Sequence, residues 1–346
     1  MRTLTERQLN RALLARQLLL DRSNLPLARA VERIGGVQTQ YAPSAYVGSW
    51  SRLGGFERPA LTTALERGSV VQATLMRVTI HIVSRRDFWP IALALREPRR
   101  EWWLAATRHA HSARTMSAAA RRVRDLLGDG PRRRAEIVAT LGLDAQFWNG
   151  VGLWVDLVRV APSGTWEHRR ADLYGLAEHH VGLPPPGLTA DDGRALLVRR
   201  YLTGFGPASR KDVASFTGLP VAALAPLFER LAVRRFLDER GHELIDVARA
   251  PLPDPASAAP VRFLPTWDAT LLVHARRTQI VPEPVRPLIF NTKTPHSVAT
   301  FLVDGQVAGT WVHHDGRVSV DPFEPLSTSA KREVRDEAER LEAFMR

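Results

Sequence analysis

Residues 132–166 run RRRAEIVATLGLDAQFWNGVGLWVDLVRVAPSGTW, and the order of elements written into them is helix, break, helix, hairpin. Apolar residues at helical spacing predict a short helix from Arg132 to Leu141, which Gly142 stops. Asp144 opens a longer helix to Val158, and Val160 to Trp166 reads as a hairpin turning at Pro162 to Gly164. Helix, turn, helix and hairpin make a winged helix. The same order returns from Asp191: a helix to Leu202, a helix from Ser209 to Thr217, a Gly218-Leu219-Pro220 break, and a helix to about Arg230. Strands Val233 to Leu237 and Glu243 to Val247 then flank Gly241. Little residue identity accompanies the repeat, so what recurs is architecture.

Toward the N-terminus, Thr5-Glu6-Arg7-Gln8 has the spacing of a capping box, and the leucines that follow predict a helix to about Arg22. Pro26 suits the first turn of a second helix, which Leu27, Ala30, Val31 and Ile34 carry to Gly35. Further helices are expected over Ser44 to Leu53 and Pro59 to Arg67. Val70 to Ser84 is strand-like and places Arg77, Thr79 and His81 on one face; the alternative is an edge strand with that side in water. Asp87 to Arg108 reads as a helix kinked or split by Pro98, and Ser112 to Leu127 as an amphipathic helix. This first unit fits a degenerate third copy of the module.

Beyond a Pro/Ala/Ser-rich linker at Pro251 to Pro260, short strands are expected at Arg262–Leu264, Thr270–His274, Gln279–Val281, Leu288–Phe290, Val298–Val303, Gln306–Trp311 and Arg317–Val320. Asp304-Gly305 is a hairpin signal, and Thr328 or Ser329 caps a closing helix, Lys331 to Met345. The fold class is therefore α+β, mainly α with β: three tandem winged-helix modules, 1–111, 112–185 and 186–250, then a small antiparallel β-barrel with a C-terminal helix, 261–346.

The 346 residues contain no cysteine, which excludes disulfides, Cys-ligated zinc, iron–sulfur clusters and a thiol nucleophile. Eleven histidines include the pairs His109/His111, His179/His180 and His313/His314, but no familiar ligand spacing emerges, so neither metal nor cofactor is expected. No run is long and apolar enough to span a membrane and no secretory leader is evident, so the expected location is the cytoplasm, associated with the nucleoid. The net charge is +12, and residues 1–130 hold 21 Arg against 10 acids, whereas 131–346 hold 27 Lys plus Arg against 26 acids. A coding bias explains arginine over lysine, yet not cations over acids. An anionic polymer partner follows.

Gly35-Gly36-Val37-Gln38-Thr39-Gln40-Tyr41-Ala42-Pro43 holds the residues best suited to chemistry. The glycines stop the preceding helix and Pro43 pushes Ala42 from helical angles, so the segment is extended. In an extended segment Gln38 and Gln40 share a face and their amides converge, where on a helix they would diverge. Two nearby glutamines are more often solvated loop residues, and composition alone does not decide between the readings.

With Gly36-Val37-Gln38-Thr39-Gln40, the Arg77-Val78-Thr79-Ile80-His81 strand, Gly152–Arg159, Arg200–Ala208, Phe263–Asp268 and Val303–Trp311 in this order, the chain resembles the bacterial winged-helix DNA glycosylases of the AlkZ and YcaQ type. That resemblance covers nearly the whole chain. It implies a C-shaped arrangement around a basic channel and a catalytic Gln-aliphatic-Gln motif, with Gln38 and Gln40 on its outer positions. Thr39 departs from the aliphatic middle and bears on packing behind the motif. The implied activity is monofunctional removal of bulky N7-alkylguanine from double-stranded DNA, with unhooking of interstrand crosslinks and genotoxin self-resistance as associated roles.

Because N7 alkylation makes guanine a cationic leaving group, Gln38 and Gln40 need only hold and polarise a water. Tyr41, Arg77, Thr79 and His81 are candidate channel walls. Arg85, Arg86, Arg132, Arg133, Arg210, Lys211, Arg276, Arg277 and Lys293 are candidate phosphate contacts. A monomer is expected. The alternative is a non-catalytic winged-helix DNA-binding protein, a regulator or a lesion shield, which shares every feature except a need for the two amides.

Overall fold

The computed structural model describes residues 1–108, 110–272, 278–290 and 297–346. The expected candidates Arg276, Arg277 and Lys293, and His109 and His274 with them, lie outside the described residues. Strand β1 (Arg2–Leu4) precedes helix α1 (Glu6–Arg16), whose expected capping box is formed: Thr5 Oγ1 accepts from Gln8 N at 3.1 Å and Thr5 N donates to Gln8 Oε1 at 3.0 Å. The helix stops six residues short of the expected Arg22. The cause is tertiary: the Gln17 amide donates to Gly204 O at 2.8 Å, and Leu18 turns left-handed (φ 57°) so that Leu18 and Leu19 enter different cores.

Helix α2 (Leu27–Arg33) ends as expected at Gly35 and Gly36, whose φ values of 81° and 90° suit glycine. A Cβ on Gly36 would lie 3.3 Å from Ile82 O, so close approach also matters there. The chain then enters β2 (Val37–Gln38), α3 (Ala42–Arg52), α4 (Arg58–Glu66), β3 (Val70–Thr74) and β4 (Ile80–Ser84). The expected single strand over Val70 to Ser84 is in fact a hairpin, broken by a 3-10 turn at Met76–Val78. Met76, at the start of that turn, is fully buried.

Helix α5 (Arg85–Ala106) runs through Pro98 without splitting, and α6 (Ala113–Gly128) follows, capped by Ser112. In the stretch from 132 onward, β5 (Arg132–Arg133) replaces the expected first turn, and α7 (Arg134–Leu141) ends at left-handed Gly142 as expected. Helix α8 (Ala145–Val151) stops well before Val158, since Leu157–Arg159 forms β6. The partner of β6 is β7 (Leu173–Leu176), not the residues after a tight turn at Pro162–Gly164. The intervening excursion carries Trp166 into a core, edge-on to Tyr46 at 5.6 Å and to Phe344 at 5.9 Å. Burial of an indole outweighs the local preference for a tight hairpin.

After α9 (Ala177–His180), helices α10 (Ala190–Phe205), α11 (Arg210–Thr217) and α12 (Val221–Arg230) lead to the hairpin β8 (Val233–Asp238) and β9 (Glu243–Val247), in the order the sequence predicts. Strand β1 adds to β8 in parallel, with Arg2 opposite Phe236, a pairing that three N-terminal residues do not announce.

The last unit holds β10 (Arg262–Leu264), α13 (Arg286–Ile289), β11 (Thr300–Val303), β12 (Gln306–His314), β13 (Arg317–Pro322) and α14 (Thr328–Met345), capped by Ser327 rather than Thr328 or Ser329. Asp304 (φ 46°) and Gly305 (φ 80°) make the expected hairpin turn. Gln279 to Val281 and the described part of Thr270 to His274 are turns and bends, and Leu288 to Ile289 is helical, so among the described residues no strand forms at these three expected positions. The sheet order is β10-β11-β12-β13, open at both edges, and the expected barrel is not closed among the described residues.

Strands β2, β4, β3, β6, β7 and β5 make one six-stranded sheet, joined across its middle by Gln72 opposite Arg159. Behind it the largest core runs from Leu13 and Leu14 through Phe88, Tyr201, Phe205 and Phe216 to Leu302. Tyr201, Phe205 and Phe216 pack ring on ring at 5.0–5.3 Å. Among the described residues no helix is long and apolar enough to cross a membrane.

Candidate active site

The turn between β3 and β4 brings the polar residues of the site together. Arg77 (φ 53°) and Val78 (φ 56°) both lie in the left-handed region, which costs a non-glycine residue about 1–2 kcal/mol and persists only where its surroundings impose it. Leu75 N to Thr79 O at 2.9 Å and Thr79 N to Met76 O at 3.1 Å close the turn. Gly218, the C-cap of α11, backs it so tightly that an added Cβ would sit 3.3 Å from Arg77 N. Arg77 therefore does not share a strand face with Thr79 and His81; the turn delivers it to them.

Strand β2 pairs antiparallel with β4, setting Gln38 opposite His81. Arg77 Nη2 donates to Gln38 Oε1 at 2.9 Å, and Arg77 Nη1 donates to the carbonyl of Phe216, over whose ring the guanidinium lies at 5.4 Å. Arginine only donates, so the Gln38 amide must present its oxygen to Arg77. Gln40 is fixed in the same way, because Ile80 N donates to its Oε1 at 2.7 Å. The Nε2 groups of both glutamines have no hydrogen-bond partner among the described residues. No hydrogen bond joins the two amides. Between them Thr39 donates its N–H to Ile80 O at 2.8 Å and points its side chain into the interior, where Oγ1 has no hydrogen-bond partner.

His81 is buried, with Nδ1 donating to Thr79 O at 3.0 Å and Nε2 facing Arg77 Nη2 at 3.4 Å. Burial, reinforced by the Arg77 charge, pushes its pKa down to about 3, so the imidazole is neutral. Burial likewise lowers Arg77 to about 10, which leaves it charged at neutral pH. Tyr41, 47% exposed, accepts from Arg169 Nη1 at 3.0 Å through its hydroxyl.

Gln40 and Arg77 line a cavity of about 800 Å³ between α5, the β3–β4 turn and the β6–β7 pair. Gln38 lines a separate hollow of about 20 Å³ with Arg52, Asp268 and Trp267. Of the expected phosphate contacts, Arg86 and Lys211 are exposed, and Arg85 donates to His180 O at 3.0 Å. Arg133 pairs with Asp172 at 2.8 Å and Arg210 with Glu229 at 3.4 Å. Arg132 is half-buried, opposite Tyr174 in the sheet. His111 packs between Trp103 and Phe147, and among the described residues no three His, Asp or Glu side chains gather.

Sequence reading misses Phe216, which anchors Arg77, and the pair Arg52–Asp268 behind the motif, bonded through both oxygens at 2.9 and 2.8 Å. Asp268 ends the quoted Phe263–Asp268 motif, so a signal existed without a partner to give it meaning. Arg159 in the large cavity likewise ends the Gly152–Arg159 motif, whereas Arg99 beside it has no sequence signal beyond its charge.

A family model described as DNA glycosylase AlkZ-like matches residues 31–344. The solved structure of Streptomyces sahachiroi DNA glycosylase AlkZ has the same fold, with a TM-score of 0.83 at 19% identity over 99% of this chain and 98% of that one. No curated protein matches the chain.

Proposed function

The chain belongs to the AlkZ-like DNA glycosylase family, and from that premise we propose that it releases N7-alkylguanine from double-stranded DNA by a water held at Gln38 and Gln40. The observation that carries this reading is the fixing of both amides by donor-only groups, Arg77 Nη2 on Gln38 and Ile80 N on Gln40. Each amide oxygen keeps one lone pair for a water proton, and each NH₂ is left to donate. Water attacks the anomeric carbon, the glycosidic bond breaks, the electron pair neutralises the cationic base as it leaves, and the proton released by the attacking water passes to bulk solvent. A conventional general base adds about 10²- to 10⁴-fold, and doing without one is tolerable only for a labile, charged lesion.

Neutral His81 supports the reading, since a second cation beside Arg77 would repel a positively charged base. Its lowered pKa removes it as a proton acceptor at neutral pH. The helix–helix–helix–hairpin order of α10 to β9 supports a winged-helix module that docks on duplex DNA, with Arg85, Arg86, Arg132 and Lys211 on phosphates. The enzyme leaves an abasic site without a covalent intermediate and acts as a monomer; crosslink unhooking and genotoxin self-resistance fall within the same chemistry.

The test is base release from duplex DNA bearing one N7-methylguanine, read by alkaline strand scission. Wild type should release the base, and Gln38→Ala/Gln40→Ala should lose at least 10²-fold in rate with DNA affinity retained. Efficient excision of uracil, or borohydride trapping of a protein–DNA adduct, would contradict the mechanism.

A further inference from the structure

The cavity of about 800 Å³ has the volume of a pocket for a sizeable small molecule, far beyond what a methyl group needs. Gln40 and Arg77 line it, so it adjoins the motif proposed to carry out the chemistry. Its walls combine two kinds of group. Trp102 is 56% exposed and offers an open aromatic face. Arg99 and Arg159, both half-buried, also line it and both reach Thr74: Arg99 Nη1 donates to Thr74 O at 2.6 Å and Arg159 Nη2 to Thr74 Oγ1 at 3.1 Å.

Among the described residues neither guanidinium has a carboxylate in an ion pair. Arg99 donates otherwise to Leu95 O at 3.2 Å, and Arg159 to Ala171 O at 3.1 Å and Tyr174 Oη at 3.3 Å. Asp156 faces the same cavity and partly offsets the cost of burying Arg99, but its carboxylate is bonded to Arg96 at 2.8 Å. Burial lowers both arginines from their ordinary values, Arg99 to about 10. By contrast, buried Arg16 pairs with Asp246 and buried Arg52 with Asp268. Desolvated cations without such partners are costly and match a ligand that brings the negative charge.

We propose that this cavity receives the substituent carried by the alkylated base, and that the substituent it fits is a planar ring bearing an anionic or strongly accepting oxygen. The ring stacks on Trp102 and the oxygen reaches Arg99 and Arg159. This rests on the reading of the chain as an N7-alkylguanine glycosylase. A negative substituent also offsets the repulsion between Arg77 and the cationic base.

The experiment uses three duplexes, each with one N7-methyl-, N7-benzyl- or N7-(4-carboxybenzyl)guanine. For excision, wild type should favour carboxybenzyl over methyl by about tenfold or more in kcat/KM. Arg99→Met/Arg159→Met should lose that preference while excising the methyl lesion within about twofold of wild type. Trp102→Ala should weaken benzyl and carboxybenzyl together and leave methyl unchanged. Equal loss on all three lesions would mean that the arginines bind a backbone phosphate, and no loss on carboxybenzyl would mean that the cavity holds no substituent; either overturns the proposal.

Affinities of the three duplexes for the Gln38→Ala protein, which lacks an amide outside the cavity, read the pocket without turnover. If wild type released no base from any duplex, the glycosylase reading would fall, while the affinity series would still decide the pocket. Arg99→Lys, which keeps charge but not the fork, and thermal unfolding of each variant separate loss of binding from loss of fold.

Discussion

Thr39 occupies the middle of the motif with 1% of its surface exposed and a hydroxyl that bonds to nothing. A buried, unsatisfied hydroxyl costs about 1–3 kcal/mol, and its replacement by an apolar group of the same shape is neutral or stabilising. Thr39→Val should therefore raise the free energy of unfolding by about 1 kcal/mol in denaturant titration and leave base release intact. Arg77 is the neighbouring control point, since one guanidinium orients Gln38 and is itself held by Phe216. Arg77→Met should lower kcat about tenfold, the worth of one orienting hydrogen bond, with DNA affinity little changed.

His81 gives a pH test at the same scale. Its ordinary pKa of 6.5 falls to about 3 in the folded chain, so between those values the unfolded chain binds a proton that the folded one excludes. Stability should thus decline by about 1.4 kcal/mol per pH unit as pH falls below 6.5, and this term is absent above it. The difference between wild type and His81→Gln, followed by denaturant unfolding at several pH values, isolates that slope.

At the scale of elements, α11 and the β3–β4 turn behave as one part. Helix α11 ends at Gly218, in the left-handed region at φ 75°, and its last turn supplies the Phe216 carbonyl that holds Arg77. Gly218→Ala places a Cβ 3.3 Å from Arg77 N in a conformation that alanine resists, at a cost of about 1–2 kcal/mol. The expected outcome is a modest fall in melting temperature with a larger fall in base release, because the strain falls on the residue that orients Gln38. Equal activity per folded molecule would show that the turn tolerates the shift. The same coupling explains why the 70–84 segment was only half legible: period-2 alternation marks strand, but the break at Met76–Val78 is imposed by a helix more than 130 residues away in sequence.

Over the whole molecule, the arginine excess of the first third has two destinations. Part of it lines surface and cavity. The rest is buried as ties between distant segments: Arg16 to Asp246, Arg52 to Asp268, and Arg11 to Asp304. A charge count reads all of these as free cations, because the acids that neutralise them lie two hundred residues away or more. Burial acts to raise the Asp268 carboxyl, but the Arg52 guanidinium overcomes it and holds the group below its ordinary value. Arg52→Met leaves that carboxylate buried without its cation and should cost about 3–5 kcal/mol in denaturant unfolding. Asp268→Asn in the same background should recover part of the loss by removing the stranded charge.

Sequence alone determined the Thr5 capping box, the stops of α2 at Gly35 and of α7 at Gly142, the helix–helix–helix–hairpin order of 190–247, the Asp304-Gly305 turn, and the extended backbone at Gln38. Each depends on interactions within a few residues or on the periodicity of one element. Tertiary structure alone decided where α1 stops, that β6 and β7 pair across an excursion that buries Trp166, that the C-terminal sheet is open among the described residues, and that Arg77 reaches Gln38 from a turn. Those outcomes depend on which remote surfaces meet, and burial of an indole, a guanidinium or a leucine outweighs any local preference.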